Sequence, residues 1–451
     1  MPFWTVIPFI GILLSIALGP LINAHWWERN LKWVSLGWAL IFALPFIFMV
    51  GTHQAAHAIL HVYVLDYIPF MILLTALFVV SGGIVIHGSL HGSPWVNTTL
   101  LGVGTLLASW IGTTGASMLM IRPVLRANAW RKSQAHVVIF FIFLVSNIGG
   151  ALTPVGDPPL FLGFLKGVPF FWTFCLVGPM LLCVTILLTV FWFLDRYHVR
   201  HDPPPLNLEP IPLNVRGEYN LLFLAGIVGA IIMSGMFSKH TFFFDAVTGL
   251  PRGLRLMDGQ EPLIWPYLNL CRDGLILMMA ALSLKFTPHA LRQDNKFTWG
   301  PIKEVGYLFA GIFMTIVPAL AILAVKGASL GVDTPAKFFW ASGILSSFLD
   351  NAPTYLTFLS AAGGYFGSHP ELLSGALVHT DLGTVTAKVL MAVSAGSVFM
   401  GANSYIGNAP NFMVRSIAEE NSCKMPSFFG YMLWSGMILL PTFALVTWVF
   451  F

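Results

Sequence analysis

Long stretches of this 451-residue chain contain no Asp, Glu, Lys or Arg, among them residues 1–27, 33–65, 67–121, 133–156, 167–194, 219–238, 305–325 and 425–451. Most exceed the ~20 residues a helix needs to cross a bilayer. With 57% hydrophobic and 9% charged residues and a mean hydropathy of +0.79, the chain stands far from the roughly 25% charged norm of soluble domains. Its length would suggest two or three soluble domains; the runs make it one all-α polytopic membrane bundle. The chain's start has no positive residue before Arg29 and no small-residue cleavage site after a short core, so an uncleaved first span is expected. Cys175, Cys183, Cys271 and Cys423 form no CxxC pair and are expected to be inert packing residues.

One run should not form a continuous helix. Ser146-Asn-Ile-Gly-Gly-Ala-Leu-Thr-Pro-Val-Gly-Asp-Pro-Pro159 places two glycines, a Thr-Pro and a Gly-Asp-Pro-Pro in the middle of an apolar segment. A break in hydrocarbon strands backbone N–H and C=O groups at roughly several kcal/mol each unless protein, water or a bound ion satisfies them. A transport site is therefore expected here.

The predicted order is spans 3–23, 33–52 and 62–86, a polar-tipped hairpin 96–127, a broken span 136–165 and a span 168–194. After a cytoplasmic Pro-rich linker 195–218, whose Asp202-Pro-Pro-Pro205 cannot be helical, come spans 219–238, 263–286 and 304–326. A second hairpin 335–362, a second broken span 384–419 and a last span 426–450 follow. That makes about ten spans and two hairpins. The segment 96–127 is too long for one span and too short for two, with Gly112-Thr-Thr-Gly115 at its centre, hence a re-entrant pair of half-helices. Arg122, Arg126, Arg131 and Lys132 behind it put its open end in the cytoplasm. Threading from this anchor places both termini on the periplasmic or extracellular side. Fifteen of the 23 basic residues then fall in the inner loops 24–32, 87–95, 122–135, 195–218, 285–303 and 415–425. This bias also accounts for the net charge of +4 without a nucleic-acid partner.

The same threading gives each half three spans, a hairpin, a broken span and another span, starting from opposite sides. Residues 1–194 and 219–451 thus read as inverted-topology repeats. Gly150-Ala-Leu-Thr-Pro-Val-Gly-Asp-Pro-Pro159 laid over Gly401-Ala-Asn-Ser-Tyr-Ile-Gly-Asn-Ala-Pro410 agrees at seven of ten positions, counting Thr/Ser, Val/Ile and Asp/Asn as close pairs. The hairpin tips Ser109–Ser117 and Ser346–Thr354 correspond as Thr113/Asp350, Thr114/Asn351 and Ser117/Thr354.

An alkali cation requires oxygen ligands that replace its hydration shell, and unwound carbonyls with Asn, Ser, Thr and Asp side chains provide them. The candidates at the four discontinuities are Asn147, Thr153, Asp157, Asn403, Ser404 and Asn408 from the breaks, with Thr113, Thr114, Asp350 and Asn351 from the tips. Asp157 and Asp350 are the acidic members and the expected Na⁺ ligands. A carboxylate at membrane depth must be paired, cation-bound or protonated, and competition between H⁺ and a cation for one carboxylate suffices for antiport. The alternative for both aspartates is helix capping, since Gly-Asp-Pro-Pro is close to an ideal helix start. For the asparagines and Ser404 the alternative is satisfaction of broken backbone, and for the threonines a bond to the preceding turn. His53, His57 and His61, and again His87 and His91, recur at four-residue helical spacing, which suits a polar face better than a metal site. Arg122 is expected to reach toward cytoplasmic headgroups. No Gly-x-Gly-x-x-Gly, Walker, His-Glu-x-x-His or Gly-x-Ser-x-Gly pattern occurs, which disfavours nucleotide-driven transport and hydrolysis.

At Ser146-Asn-Ile-Gly-Gly150, Thr153–Pro159, Leu349-Asp-Asn-Ala-Pro-Thr354 and Gly401–Asn411 the chain resembles the NhaD-type sodium:proton antiporters of the ion-transporter superfamily, which also holds citrate, dicarboxylate and arsenite transporters. The likeness covers nearly the whole chain. It implies a homodimer in a bacterial inner membrane, with a mobile transport domain moving elevator-like beside a static scaffold. It implies site roles for Asn147, Asp157, Asp350, Asn351, Asn403, Ser404 and Asn408. The carboxylate-transporting branch carries Ser-Asn-Thr at its tips, whereas these read Gly-Thr-Thr-Gly and Leu-Asp-Asn-Ala-Pro. Two aspartates beside a di- or tricarboxylate would add like-charge repulsion. The expected function is therefore exchange of Na⁺ or Li⁺ for H⁺ with no other cofactor, the transported ions and the bilayer being the partners. The alternatives are an organic-anion symporter or metalloid exporter of the same fold and, more remotely, a membrane-embedded metal-dependent enzyme.

Overall fold

A computed structural model describes residues 1–201, 211–258 and 262–451; Asp202-Pro-Pro-Pro205 lies outside the described residues. Among these, seven helices are long and apolar enough to cross a membrane. An eighth candidate is the pair Gly300–Thr315 and Val317–Leu330, bent by 45° before Pro318, and Asn220–Met236 and Ala387–Asn403 are shorter apolar helices. The protein is thus an all-α polytopic membrane protein, and the ten segments match the ten expected in order.

Several boundaries differ. The first two spans form one helical run, Ile7–Val50, kinked at Asn23, whose φ of −157° is not helical, so the expected loop 24–32 is wound. The third span begins at Thr52 and ends at Ser81. His53, His57 and His61 therefore lie within it, on the helix Thr52–Val62. His87 stands in a strand, Val85–Ser89, paired antiparallel with Ile211–Arg216, so His87 and His91 share no helical face. The expected linker accordingly contains a strand, and the helix before it runs on to His201. Further two-stranded pairs cover 253–257 with 263–266 and 377–380 with 383–386. Residues 267–286 are helical even though Arg272 and Asp273 are buried within them as an ion pair of 2.8 Å.

A pair of helices joined by a tight turn occupies each segment expected to be a hairpin, and the two pairs start alike. Ser93 and Thr334 cap Pro94–Ile111 and Pro335–Ser346, each accepting a backbone N–H three residues on at 3.3 Å, with Pro at the first helical position. The first hairpin turns at Gly112 (φ +80°, ψ 148°) into Thr113–Ala127. The second turns through residues 347–350 into Asn351–Ser368, six residues longer than expected. The hairpin base is tied by buried Asp195, which accepts from Arg131, from His136 at 2.7 Å and from Asn97 at 3.1 Å. Arg122 donates to Asn295 at 3.1 Å. That bond holds it against the segment after His289–Asp294.

Packing groups the helices into two bodies. Residues 7–81 pack with 220–326, and residues 94–201 with 335–450; the bodies meet where Thr113–Ala127 lies on Ile68–Ser81 and Asn351–Ser368 on Val317–Lys326. Both hairpins and both breaks belong to the second body. Its centre is Ala135–Leu144, where every side chain from His136 to Leu144 is buried. With lipid outside, such a centre is held by close packing and internal hydrogen bonds more than by water exclusion.

Candidate functional site: one carboxylate between two hairpin tips and two helix breaks

The breaks repeat one backbone. Each consists of a 3₁₀ turn (Ile148–Leu152; Gly401–Asn403), an extended residue (Thr153, φ −137°; Ser404, φ −141°) and an extended N-cap (Asp157, φ −143°, ψ 142°; Asn408, φ −153°, ψ 140°) before a Pro-containing helix. The loop folds back so far that a Cβ on Gly156 would lie 2.2 Å from the Gly150 carbonyl oxygen, and one on Gly407 2.5 Å from that of Gly401. Glycine is therefore required at both mates.

Hydrogen bonds to the hairpins repeat as well. The Thr153 hydroxyl donates to the Ser109 carbonyl, and the Ser404 hydroxyl to that of Ser347. Ser109 donates to Gly149 at 2.5 Å, and Ser347 to Met400 at 3.2 Å. The Leu152 carbonyl accepts from Thr173 at 2.8 Å, and the Asn403 carbonyl from Ser435 at 2.7 Å. These pairs make Ser109 the mate of Ser347, not of Ser346, and shift the tip correspondence by one residue. Gly112 now matches Asp350, both being N-caps, and Thr113 matches Asn351, both being first helical residues.

Asp157 occupies an N-cap position, yet its side chain makes no capping bond. It turns into the space between the tips. Its Oδ1 accepts from the Thr113 hydroxyl at 2.9 Å and from Asn408 Nδ2 at 3.2 Å, and its Oδ2 from Asn351 Nδ2 at 2.6 Å. Asn408, likewise an N-cap without a capping bond, also donates to the Ser146 carbonyl at 3.1 Å and to Asn147 Oδ1 at 3.3 Å. Asn147 Nδ2 donates to Asn411 Oδ1 at 2.7 Å, and Asn411 Nδ2 to the carbonyls of Gly401 and Ser404 at 2.9 Å each. Asp157, Thr113, Asn351, Asn408, Asn147 and Asn411 are all buried and form one connected network built from both breaks and both tips.

The remaining candidates fall outside it. Thr153 and Ser404 fasten their break loops to the hairpin arms. Asn403 donates to Ser347 Oγ at 2.9 Å and belongs to the same fastening. Asp350 is half-buried and accepts the Ala352 N–H at 3.0 Å as a helix cap, although its charge still acts on Asp157. Half-buried Thr114 makes no hydrogen bond to this cluster. Asn411 lies outside the candidate set, although a polar side chain just past Asn408-Ala-Pro410 was a readable signal.

The partners of Asp157 are a hydroxyl and two amides. A buried carboxylate so placed needs a proton or a cation to balance its charge. The Oδ1 of Asn351 is buried without a hydrogen-bond partner, leaving an acceptor oxygen on the residue already bonded to the carboxylate. That donor set suits a small hard cation. It offers no guanidinium or ammonium to an organic anion.

A helical membrane bundle whose two broken spans and two hairpins converge on one buried carboxylate has the construction of a secondary transporter. The chain belongs to the transporter family described as "Putative citrate transport", whose model matches residues 1–451. No curated protein matches it significantly.

Proposed function

We propose that this protein exchanges Na⁺ or Li⁺ for H⁺, the two ions competing for Asp157. The observation that carries this reading is a carboxylate buried where both repeats meet and held by neutral donors alone. Proton binding discharges it directly; cation binding discharges it with help from Asn351 Oδ1, which lacks a donor. Loading by one ion therefore excludes the other. Residues 1–194 and 219–451 serve as the two repeats, and the body carrying the hairpins moves against the body of residues 7–81 and 220–326 in each subunit of a homodimer.

The family description favours a second reading, in which an organic anion such as citrate is carried. With Asp157 in the site, such an anion requires cations between the carboxylates. Vesicles containing the purified protein and an internal pH dye separate the two. Na⁺-driven proton movement supports exchange. Citrate accumulation without Na⁺-driven proton movement overturns it.

A further inference from the structure

A buried ion pair that joins the two bodies lies away from Asp157 and is not used by the reading above. Lys166 Nζ donates to Asp66 Oδ2 at 2.6 Å, with side-chain exposures of 8% and 3%. The two residues belong to different bodies. Asp66 sits in the span Thr52–Ser81, within a π-helical turn, Tyr63–Tyr67, a distortion that often accompanies a functional position. Lys166 is the C-cap of Pro158–Leu165, the same helix whose N-cap is Asp157. Eight helical residues, about 12 Å, thus join the two sites as one rigid rod.

The surroundings are titratable on every side. His57 and His61 come from the helix that leads into the π turn. Asp381 comes from the turn between strands 377–380 and 383–386. Its carboxylate is within electrostatic reach of Lys166, Asp66 and His61, and its backbone N–H donates to the Lys166 carbonyl at 2.9 Å. One lysine therefore faces two carboxylates, one on the opposite body and one on its own, and can exchange between them as the bodies slide. The hairpin 94–127 has both its ends on the side from which Ala135–Leu144 enters. Lys166, reached only after that chain has crossed the centre, marks the other side.

We propose that Lys166 and Asp66 form an ion-pair gate closing this end of the path between the two bodies, with Asp381 as the alternative partner of Lys166 and Pro158–Leu165 linking the gate to the occupancy of Asp157. The link to Asp157 rests on the transport reading; the gate does not. The test uses the full chain with Cys175→Ser and Cys271→Ser, the two exposed cysteines, and a reporter Leu165→Cys at the half-buried end of the rod. A membrane-impermeant maleimide is applied to the reconstituted protein. Lys166→Met and Asp66→Asn should each raise the labelling rate by about tenfold or more. The charge swap Asp66→Lys with Lys166→Asp should restore slow labelling, an outcome that loss of packing cannot produce. Labelling at the parental rate in both single variants, or a swap that labels as fast as they do, overturns the gate. Because labelling needs no transported ion, a protein that passes this test yet exchanges no Na⁺ for H⁺ keeps the gate and loses the ion assignment.

Discussion

Asp157 and Asp350 occupy the same kind of position, the N-cap of a helix that starts in the middle of the bundle, and their side chains turn opposite ways. Asp350 folds back onto its own helix and accepts the Ala352 N–H. Asp157 leaves its helix uncapped and accepts from three side chains on other elements. Pro158 and Pro159 follow Asp157, and proline has no N–H to offer a cap. The first turn of Pro158–Leu165 therefore has fewer donors to satisfy, and the carboxylate is released for other work. After Asp350 the first proline comes two places later, at Pro353, which leaves the Ala352 N–H available. The lesson is that a Gly-Asp-Pro-Pro in a membrane segment is less a capping signal than a way to present an acid.

The sharpest way to break this comparison is to neutralise each acid. Asp157→Asn should lose Na⁺-driven proton movement by on the order of 100-fold or more, since charged hydrogen bonds and ion pairing are withdrawn together; wild-type exchange in vesicles would leave Asp157 a structural member of the buried network and remove it from the transport site. Asn351→Ala removes the 2.6 Å donor to Asp157 and the neighbouring free oxygen. Cation affinity should fall by about 10- to 100-fold, the loss of an interaction of ~1.5–3 kcal/mol, read from the Na⁺ concentration giving half-maximal exchange. Asp350→Ala should act on stability instead, lowering it by ~1 kcal/mol as lost caps do. A thermal melt would show this, with half-maximal Na⁺ changed by about threefold or less. Thr114→Ala, beside the network but not in it, should leave both measurements within about twofold.

Much of this was legible in the sequence because glycine, proline and short polar side chains are so unfavourable inside an apolar helix that they mark each discontinuity. The two breaks and the two tips could be located that way, as could the pairing of Asp157 with Asn408. The register of the tips could not. Ser346 and Ser347 are adjacent and chemically alike, and only the hydrogen bonds from Ser347 and Ser404 show which of them stands where Ser109 does. The one-residue error made Asp350 the mate of Thr113 and suggested that each repeat contributes a carboxylate to the centre. Which way a side chain turns at an N-cap was equally hidden, because a cap and a presented ligand share one backbone. The early start of the third span at Thr52 was missed because three histidines look like a loop, although on a helix they line one face. The short strands around 85–89 and 377–386 depend on pairing between segments whose individual patterns are too short to read.

The substitution of Asn408 for an acid at the mate of Asp157 has an electrical consequence. The buried centre carries a single formal negative charge when empty and none when a proton or a monovalent cation is bound. Moving one elementary charge through the full membrane potential is worth about 2.3 kcal/mol per 100 mV. In the proposed cycle, therefore, both loaded crossings run without electrical work, and the membrane voltage acts chiefly against an unoccupied centre. Two facing aspartates would have left a charge behind after either ion bound. One aspartate and one asparagine give a carrier whose productive steps are insulated from voltage, while its empty, wasteful step is subject to it.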